Sequence, residues 1–178
     1  MIDVIDTNIK EVKIIEPKIY NDNRGYFFES YNKNEFQKKI GNINFIQDNE
    51  SESNYGVLRG LHFQKPPFEQ SKLVRVIKGE IQDVAVDIRE KSNTYLQYVS
   101  VILNETNKRQ LFIPKGFAHG FLVLSKEAIV NYKIDNLYNT DYESGVAYDD
   151  PNINIKWKFD KRKIILSDKD RLFKNFLV

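Results

Sequence analysis

The chain has 178 residues, a length that favours one domain with a substantial core and argues against repeat arrays and multidomain assemblies. Aromatic residues make up 13% and charged residues 29% of the sequence, with 8 Gly and 5 Pro, so the composition excludes a disordered or low-complexity chain. Because 27 Lys and Arg face 25 Asp and Glu, the net charge of +2 supplies no bulk field that would recruit nucleic acid or an anionic membrane, and any anionic ligand must be held locally.

Short β-branched and aromatic runs, separated by Asn, Gly, Asp and Ser, alternate with a period of two along most of the chain. This pattern predicts strands over 12–20, 26–31, 44–53, 56–63, 72–78, 80–89, 98–103, 109–113, 119–124, 128–134 and 146–148. One helix is predicted over 33–40, because Phe36 and Ile40 lie four residues apart and Gly41 follows. Without a linker or an internal repeat, we expect a single all-β domain over 1–178, a sandwich or barrel of jelly-roll type with a few short helices.

The strand pair on either side of Gly79 carries side chains of different character on its faces. One face of the first strand holds Lys72, Val74 and Val76. The second strand holds Val84, Val86 and Ile88 on one face and Asp83, Ala85 and Asp87 on the other. Either face could point inward. Since several strands are apolar on both faces, the outer face must also be covered, and self-association is one way to cover it.

The two histidines, His62 and His119, are candidates for proton chemistry, because an unperturbed imidazole titrates at about 6.5. Arg59 precedes His62 by three residues, so strict alternation would place the two side chains on opposite faces. A β-bulge near Gly60 would turn both to one side; without it, Arg59 is a solvated residue on an edge strand. His119 lies where a turn enters an apolar strand, at the mouth of the predicted barrel. Either histidine could instead be purely structural.

Two other polar side chains lie on apolar faces. Lys72 shares its face with two valines, where a buried ammonium requires an anion or oxyanion unless its stem carries the charge into solvent. Tyr132 shares its face with Ala128 and Val130, and its hydroxyl needs a hydrogen-bond partner unless the ring is simply part of the core.

Motifs for common cofactors are not visible in the sequence. Neither the Gly-x-Gly-x-x-Gly nor the Gly-x-x-x-x-Gly-Lys-Ser/Thr motif occurs, so nothing indicates a cradle for a nucleotide cofactor. The two histidines are far apart in the chain and form no His-x-His pair. Two histidines and one carboxylate could still converge in space around a metal ion.

The sequence also bears on cellular location. With no Cys, the chain lacks disulfides, thiolate nucleophiles and Cys-based metal sites, which suits the reducing cytoplasm. Asp3 and Asp6 interrupt residues 1–10, which therefore lack the basic flank and apolar stretch of a signal peptide. No later apolar run reaches the ~18 residues needed to span a bilayer. We expect a soluble, cytoplasmic protein.

Seven blocks in order along the chain carry a more specific signal. They are DNRGYFFE at 22–29, QDN at 47–49, RGLH at 59–62, QSKLV at 70–74, DVAVDIR at 83–89, IPKGFAHGF at 113–121 and LSDKD at 166–170. Together they resemble the dTDP-4-dehydrorhamnose 3,5-epimerase family over nearly the whole chain. The resemblance implies a cupin-type jelly roll, a homodimer, no metal and no other cofactor.

The resemblance also implies an activity. A cytoplasmic isomerase of this family would invert C3 and C5 of dTDP-4-dehydro-6-deoxy-D-glucose and supply dTDP-4-dehydro-L-rhamnose for cell-surface polysaccharide. The hydrogens on C3 and C5 flank the 4-keto group and are acidic, so a base, an acid and a stabilised enolate oxygen suffice.

Carried over by position, the resemblance implies that His62 is the general base and Tyr132 the general acid. Asp170 would fix the imidazole tautomer, and Lys72 would meet the C4 oxyanion. The implied substrate contacts are Arg24, Glu29, Gln47, Asn49, Arg59, His119, Tyr138, Glu143 and Lys169. Among them, Arg24 and Arg59 suit the pyrophosphate, because a planar guanidinium bonds two oxygens at once, and Tyr138 would stack on the thymine ring.

Other functions remain open at this point. A 3- or 5-monoepimerase, or a 3,4-ketoisomerase, could act on a related nucleotide 4-keto-6-deoxy sugar with the same scaffold. Tyr132 argues against the ketoisomerase, because a phenol opposite the base suits proton delivery to the other face. A non-catalytic carbohydrate-binding jelly roll would hold a sugar nucleotide without proton exchange. A metal-dependent cupin oxygenase would contain a metal ion and lose activity to chelators.

Overall fold

Two facing β-sheets make up most of the computed structural model, which describes residues 2–176. The strands are β1 (Ile2–Asp6), β2 (Lys13–Pro17), β3 (Tyr20–Asp22), β4 (Gly25–Phe27), β5 (Gln47–Asn54), β6 (Leu58–Gln64), β7 (Lys72–Lys78), β8 (Glu80–Asp87), β9 (Tyr98–Asn104), β10 (Gln110–Ile113), β11 (Phe117–Val123), β12 (Glu127–Ile134) and β13 (Glu143–Gly145). The α-helices are α1 (Lys33–Lys39) and α2 (Asp168–Arg171), and short 3-10 helices span Thr140–Tyr142 and Lys161–Lys163. Residues 1 and 177–178 of the predicted domain lie outside the described residues.

The sheet topology confirms the predicted all-β, cupin-type jelly-roll fold. A six-stranded sheet has the order β1-β2-β10-β7-β12-β5, and a five-stranded sheet has the order β13-β6-β11-β8-β9. Strands β3 and β4 form a separate two-stranded hairpin. Every ladder between the named strands is antiparallel, as the period of two indicates. Within residues 2–176, no helix combines the length and apolar character needed to cross a membrane.

The core between the sheets identifies which strand faces point inward. Val74 and Val76 from β7 pack with Ala85 from β8, and with Ala128 and Val130 from β12, in one buried cluster. The inward face of β7 is therefore the one that begins with Lys72, and the inward face of β8 is the one that carries the two aspartates. Polar side chains consequently reach the interior beside an apolar core.

The chain itself covers the outer faces of both sheets. On the five-stranded sheet, Val84 and Val86 pack beneath Ile153 and Trp157 from the segment that follows β13. On the six-stranded sheet, Phe36 of α1 is buried in a third cluster. Helix α1 and the segment after β13 therefore cover apolar surface of the two sheets. Self-association was the other way to cover such surface.

Strand prediction departs from the structure at several points. Val146, in the predicted strand 146–148, is buried and exchanges backbone hydrogen bonds with Leu61, but the regular ladder there is β13, which ends at Gly145. The apolar run marks burial rather than a strand. The predicted strand 12–20 ends at Pro17, and the predicted strand 26–31 ends at Phe27. Proline lacks the N–H needed to continue a ladder. The strands β1 and β13 and the helix α2 were not predicted.

The structure contains the β-bulge near Gly60 that was one of two alternatives for this segment. His62 pairs with His119 on β11, but Arg59 pairs with Phe121, so β6 contains one more residue than β11 between the two pairs. Gly60 has a φ of +132°, and a β-carbon placed there would lie 2.5 Å from the Cα of Gly120. A glycine at this position therefore permits both the backbone conformation and the close approach of the two strands.

Gly60→Ala is expected to lower the free energy of unfolding by about 1–3 kcal/mol, because it adds crowding to an unfavourable φ. Gly41→Ala is the matched control: its φ is also positive, at +141°, but no atom lies within 4 Å of the added carbon. Urea unfolding of both variants measures the difference. Equal losses for the two would show that the strand contact at Gly60 contributes nothing.

Candidate active site

A cavity of about 250 Å³ lies between the two sheets. Strands β5, β7 and β12 supply side chains from the six-stranded sheet, and β6 and β13 supply them from the five-stranded sheet. The lining residues are Gln47, Asn49, His62, Phe63, Gln64, Gln70, Lys72, Tyr132, Ile134, Tyr138 and Glu143. Seven of the predicted site residues are therefore brought together here: His62, Lys72, Tyr132, Gln47, Asn49, Tyr138 and Glu143.

His62 is held by a buried carboxylate. Its Nε2 lies 2.7 Å from Oδ1 of Asp170, which comes from α2 and is 6% exposed. The other oxygen of Asp170 accepts a hydrogen bond from the backbone N–H of Gly60, at 3.3 Å. Burial opposes ionisation of Asp170, but the bonds to His62 and Gly60 outweigh it and hold the pKa of Asp170 below its usual range. An anion at Nε2 favours the tautomer that leaves Nδ1 with its lone pair.

Tyr132 reaches the same cavity from the opposite sheet. It lies on β12, where it pairs with Val74 of β7 and Asn49 of β5, and its ring packs against the apolar core. Burial raises the pKa of Tyr132, and the charge of Glu143 raises it further, while Arg59 acts in the opposite direction. The hydroxyl therefore keeps its proton at neutral pH and is available as a donor.

Lys72 places an ammonium at the inner wall of the cavity, where β7 begins. Burial lowers the pKa of Lys72 to about 8, although the carboxylates of Asp83 and Glu143 act in the opposite direction. The group is thus mostly a cation at neutral pH, and it lies at the cavity wall, where it can interact with an anionic oxygen.

His119 forms a second, deeper pair with Asp83. Its Nε2 lies 2.6 Å from Oδ1 of Asp83, and both residues are buried. Among the described residues, Oδ2 of Asp83 has no hydrogen-bond partner. Burial lowers the pKa of His119, and Asp83 only partly opposes this effect. His119 is not part of the cavity lining, but it faces His62 across the β11–β6 ladder.

An aromatic ring and a charge pair form one side of the cavity. The Tyr138 hydroxyl donates a hydrogen bond to Oε2 of Glu143, and Lys169 forms an ion pair with the same oxygen. This hydrogen bond raises the pKa of Tyr138 to about 12. The ring of Tyr138 is 49% exposed, so a flat ligand group can stack on it.

The two arginines predicted to contact the substrate, Arg59 and Arg24, lie in different parts of the structure. Arg59 donates hydrogen bonds to the Ser53 hydroxyl and to the Glu52 carbonyl on β5, and its charge acts on Tyr132. Arg24 lies in the β3–β4 turn, bonded to Asp22, with 86% of its side chain exposed. Neither Arg24 nor Glu29 lines the cavity of this chain.

Several site residues were not predicted. Gln64 and Gln70 line the cavity and bond to the backbone of Asn139 and Asn136, which hold the loop around Tyr138. Gln64 lies two residues after His62, so the strand period alone places it on the same face. The strand period also gave a signal for Asp83, because it places this carboxylate on the same face as the small residue Ala85. Among residues 2–176, no group of three or more His, Cys, Asp or Glu side chains is arranged to hold a metal ion.

Comparison with known proteins gives a consistent result. Residues 6–177 match the family model described as dTDP-4-dehydrorhamnose 3,5-epimerase. The protein of that name from Methanothermobacter thermautotrophicus is 53% identical over 171 residues, covering 96% of this chain and 92% of its own. The crystal structure of the Legionella pneumophila 3,5-epimerase in complex with dTDP-4-keto-L-rhamnose is similar with a TM-score of 0.95 and 48% identity, covering 98% and 93% of the two chains. A 3'-monoepimerase from Streptomyces bikiniensis, in complex with dTDP-quinovose, has a TM-score of 0.89 and 28% identity, covering 96% and 86%.

His119 is expected to be less than half protonated at pH 6.5, where an exposed histidine is half protonated, because burial lowers its pKa. Since the unfolded chain binds that proton more readily, the native state should lose stability as the pH falls below about 6.5. A ¹⁵N NMR titration of the ring nitrogens measures this, with Asp83→Asn as a second sample. A midpoint at or above 6.5 would contradict this expectation, because it would show that the bond to Asp83 outweighs the effect of burial.

Proposed function

The chain belongs to the dTDP-4-dehydrorhamnose 3,5-epimerase family, and on that premise we propose that it inverts C3 and C5 of dTDP-4-dehydro-6-deoxy-D-glucose. It is an isomerase, and the product, dTDP-4-dehydro-L-rhamnose, serves dTDP-L-rhamnose biosynthesis. The Legionella relative was crystallised with dTDP-4-keto-L-rhamnose, which supports a nucleotide-linked 4-keto sugar as the ligand of this cavity.

One observation carries the proposed mechanism: His62 and Tyr132 line one cavity from opposite sheets. Inversion at carbon requires that a proton leave from one face and return to the other. A base on β6 and an acid on β12 can contact the two faces of a sugar ring lying between them. A binding module needs no such pair, so this arrangement favours catalysis over simple binding.

The proposed reaction begins when Nδ1 of His62 removes the hydrogen of C3 or C5, and the electron pair moves toward the C4 oxygen. Asp170 stabilises the imidazolium that forms. The Lys72 ammonium stabilises the C4 oxyanion, and the adjacent Asp83 limits the loss of its charge. Tyr132 then delivers its proton to the opposite face of the carbon, and exchange with solvent restores both groups. No electron leaves the substrate, so no redox partner is required.

The nucleotide would occupy the polar side of the cavity. We propose that thymine stacks on Tyr138, which Glu143 and Lys169 hold in place. Gln47 and Asn49 contact the ligand from β5, with His119 behind the sugar. Arg59 lies near Tyr132 and is suited to a phosphate oxygen.

We further propose a homodimer in which the β3–β4 hairpin packs against the partner and brings Arg24, with the following Glu29, to the partner's site. In one chain the hairpin is exposed: Tyr20, Tyr26 and Phe27 are 50%, 57% and 67% accessible. An exposed aromatic patch of this kind favours a protein interface. A cytoplasmic location fits the absence of Cys.

Proton NMR of the substrate in D₂O tests the function directly. The wild-type protein is expected to exchange and invert both C3 and C5. His62→Ala should lose at least about 10²-fold in exchange rate, and Tyr132→Phe should retain exchange while losing inversion, because His62 can return deuterium to the face it came from. Exchange at one carbon would indicate a monoepimerase, and binding without exchange would indicate a carbohydrate-binding module.

A subunit-mixing experiment tests the placement of Arg24. Arg24→Ala and His62→Ala chains are separately inactive on this account. In a mixed dimer, one site combines an intact His62 with an intact Arg24 from the other chain, so co-refolded mixtures should regain about a quarter of wild-type activity. Activity no greater than that of the separate variants would place Arg24 in the site of its own chain or outside the site.

A further inference from the structure

The segment 164–176, here called the C-terminal strap, crosses the edge of the five-stranded sheet beside His62. At its beginning, the N–H of Ile165 donates to the Gly56 carbonyl, and the Ile165 carbonyl accepts from the N–H of Leu58, both at 2.9 Å. Near its end, the Lys174 carbonyl accepts from the N–H of Ala147 at 3.1 Å. The strap carries Asp170, so its position decides whether the His62–Asp170 hydrogen bond forms.

Helix α2 cannot position Asp170 unaided. It has four residues, capped by the Ser167 hydroxyl, and a helix of one turn has no independent stability in water. Contacts made by the neighbouring strap residues must therefore fix the helix against β6. Leu172 is 78% exposed and provides no such contact. Phe173, which follows it, is half-buried.

Phe173 packs against the imidazole and into a notch left by a glycine. Its ring centroid lies 5.5 Å from that of His62, with the rings inclined at 74°. A β-carbon added to Gly145 would lie 2.4 Å from two atoms of the Phe173 ring. Gly145 pairs with His62 in the β13–β6 ladder, so the notch lies directly beside the base. The missing side chain at Gly145 provides the space that the ring occupies.

We propose that Phe173 is a positioning residue for the epimerisation, acting through His62 and Asp170. Seated on Gly145, it holds the C-terminal strap against β6 and packs its ring at a steep angle to the imidazole. Asp170 and Phe173 together fix the orientation of the His62 ring. This inference rests on the proposed function for its consequence in catalysis, whereas the geometry it concerns is independent of any substrate.

The physical reason is the distance sensitivity of proton transfer. An error of about 1 Å in the position of a base can reduce a rate by about 10²-fold. A Phe173→Ala variant removes the ring contact and leaves a void beside the imidazole, so His62 and the strap both gain freedom. Substrate contacts from β5 are unaffected, because that strand belongs to the other sheet. Lys169 lies in the strap and pairs with Glu143, so the position of Tyr138 changes to a smaller extent.

The first experiment compares Phe173→Ala with Phe173→Leu and with the exposed neighbour variant Leu172→Ala. We expect Phe173→Ala to lower kcat by about 10- to 100-fold with a much smaller change in KM, and Phe173→Leu to lose less, because leucine still fills part of the notch. Leu172→Ala should match the wild type. The pH–rate profile of Phe173→Ala should move in the same direction as that of Asp170→Asn.

The second experiment uses the notch. Gly145→Ala should displace the ring of Phe173 and reproduce the loss in kcat. In the double variant Gly145→Ala, Phe173→Ala, no ring remains to be displaced, so the loss should equal that of Phe173→Ala alone. Losses that multiply in the double variant would overturn the proposed coupling between these two residues.

A substrate-free measurement separates this inference from the proposed function. In ¹H NMR, the Nε2 proton of His62 should be protected from solvent exchange by its bond to Asp170 in the wild type and Leu172→Ala, and unprotected in Phe173→Ala. A protected proton in Phe173→Ala, or a kcat within about twofold of the wild type, would overturn the role of Phe173. A wild-type protein that shows the protected proton but exchanges no substrate hydrogen would instead overturn the proposed function.

Discussion

The hydrogen bond between His62 and Asp170 is the contact on which the site depends, because it joins β6 to the C-terminal strap across 108 residues of sequence. A carboxylate that is 6% exposed is unfavourable unless donors fill its lone pairs, and His62 and the Gly60 N–H supply them. The bulge at Gly60 provides the second donor and also sets the direction of His62. Packing of the C-terminal strap against β6 therefore also forms the hydrogen bond that orients His62.

The interior of the sandwich divides into an apolar core and a polar end, and this division gives the cavity its chemistry. On β7, the core residue Val74 lies on the same face as Lys72. On β12, the core residue Val130 lies on the same face as Tyr132. The buried pair of Asp83 and His119 lies behind them. Burying these polar and charged groups costs free energy, which their hydrogen bonds partly offset, and the result is a set of fixed dipoles that needs little rearrangement when an oxyanion forms.

Sequence periodicity predicted most of the strands that form the two sheets, because each has one face against the core, but it did not predict β1 or β13. The glycine between Arg59 and His62 made a bulge at Gly60 one of two alternatives for that segment. The alternating pattern did not identify which face of β8 points inward, since both faces are buried. It also predicted a strand over the apolar run 146–148, where the structure has none. The pairing of Asp170 with His62 came from family resemblance alone. No sequence pattern points to Phe173, because its ring packs against Gly145, a residue without a side chain.

The central claim is that an imidazole and a phenol act on opposite faces of one sugar ring. The most direct measurement is a crystal structure of the protein with a dTDP-4-keto-6-deoxy sugar bound. The account predicts that His62 and Tyr132 lie on opposite faces of the ring, each within about 3–3.5 Å of its reacting centre, with the Lys72 ammonium bonded to the C4 oxygen. A sugar bound outside this cavity, or with both side chains on the same face, would contradict it.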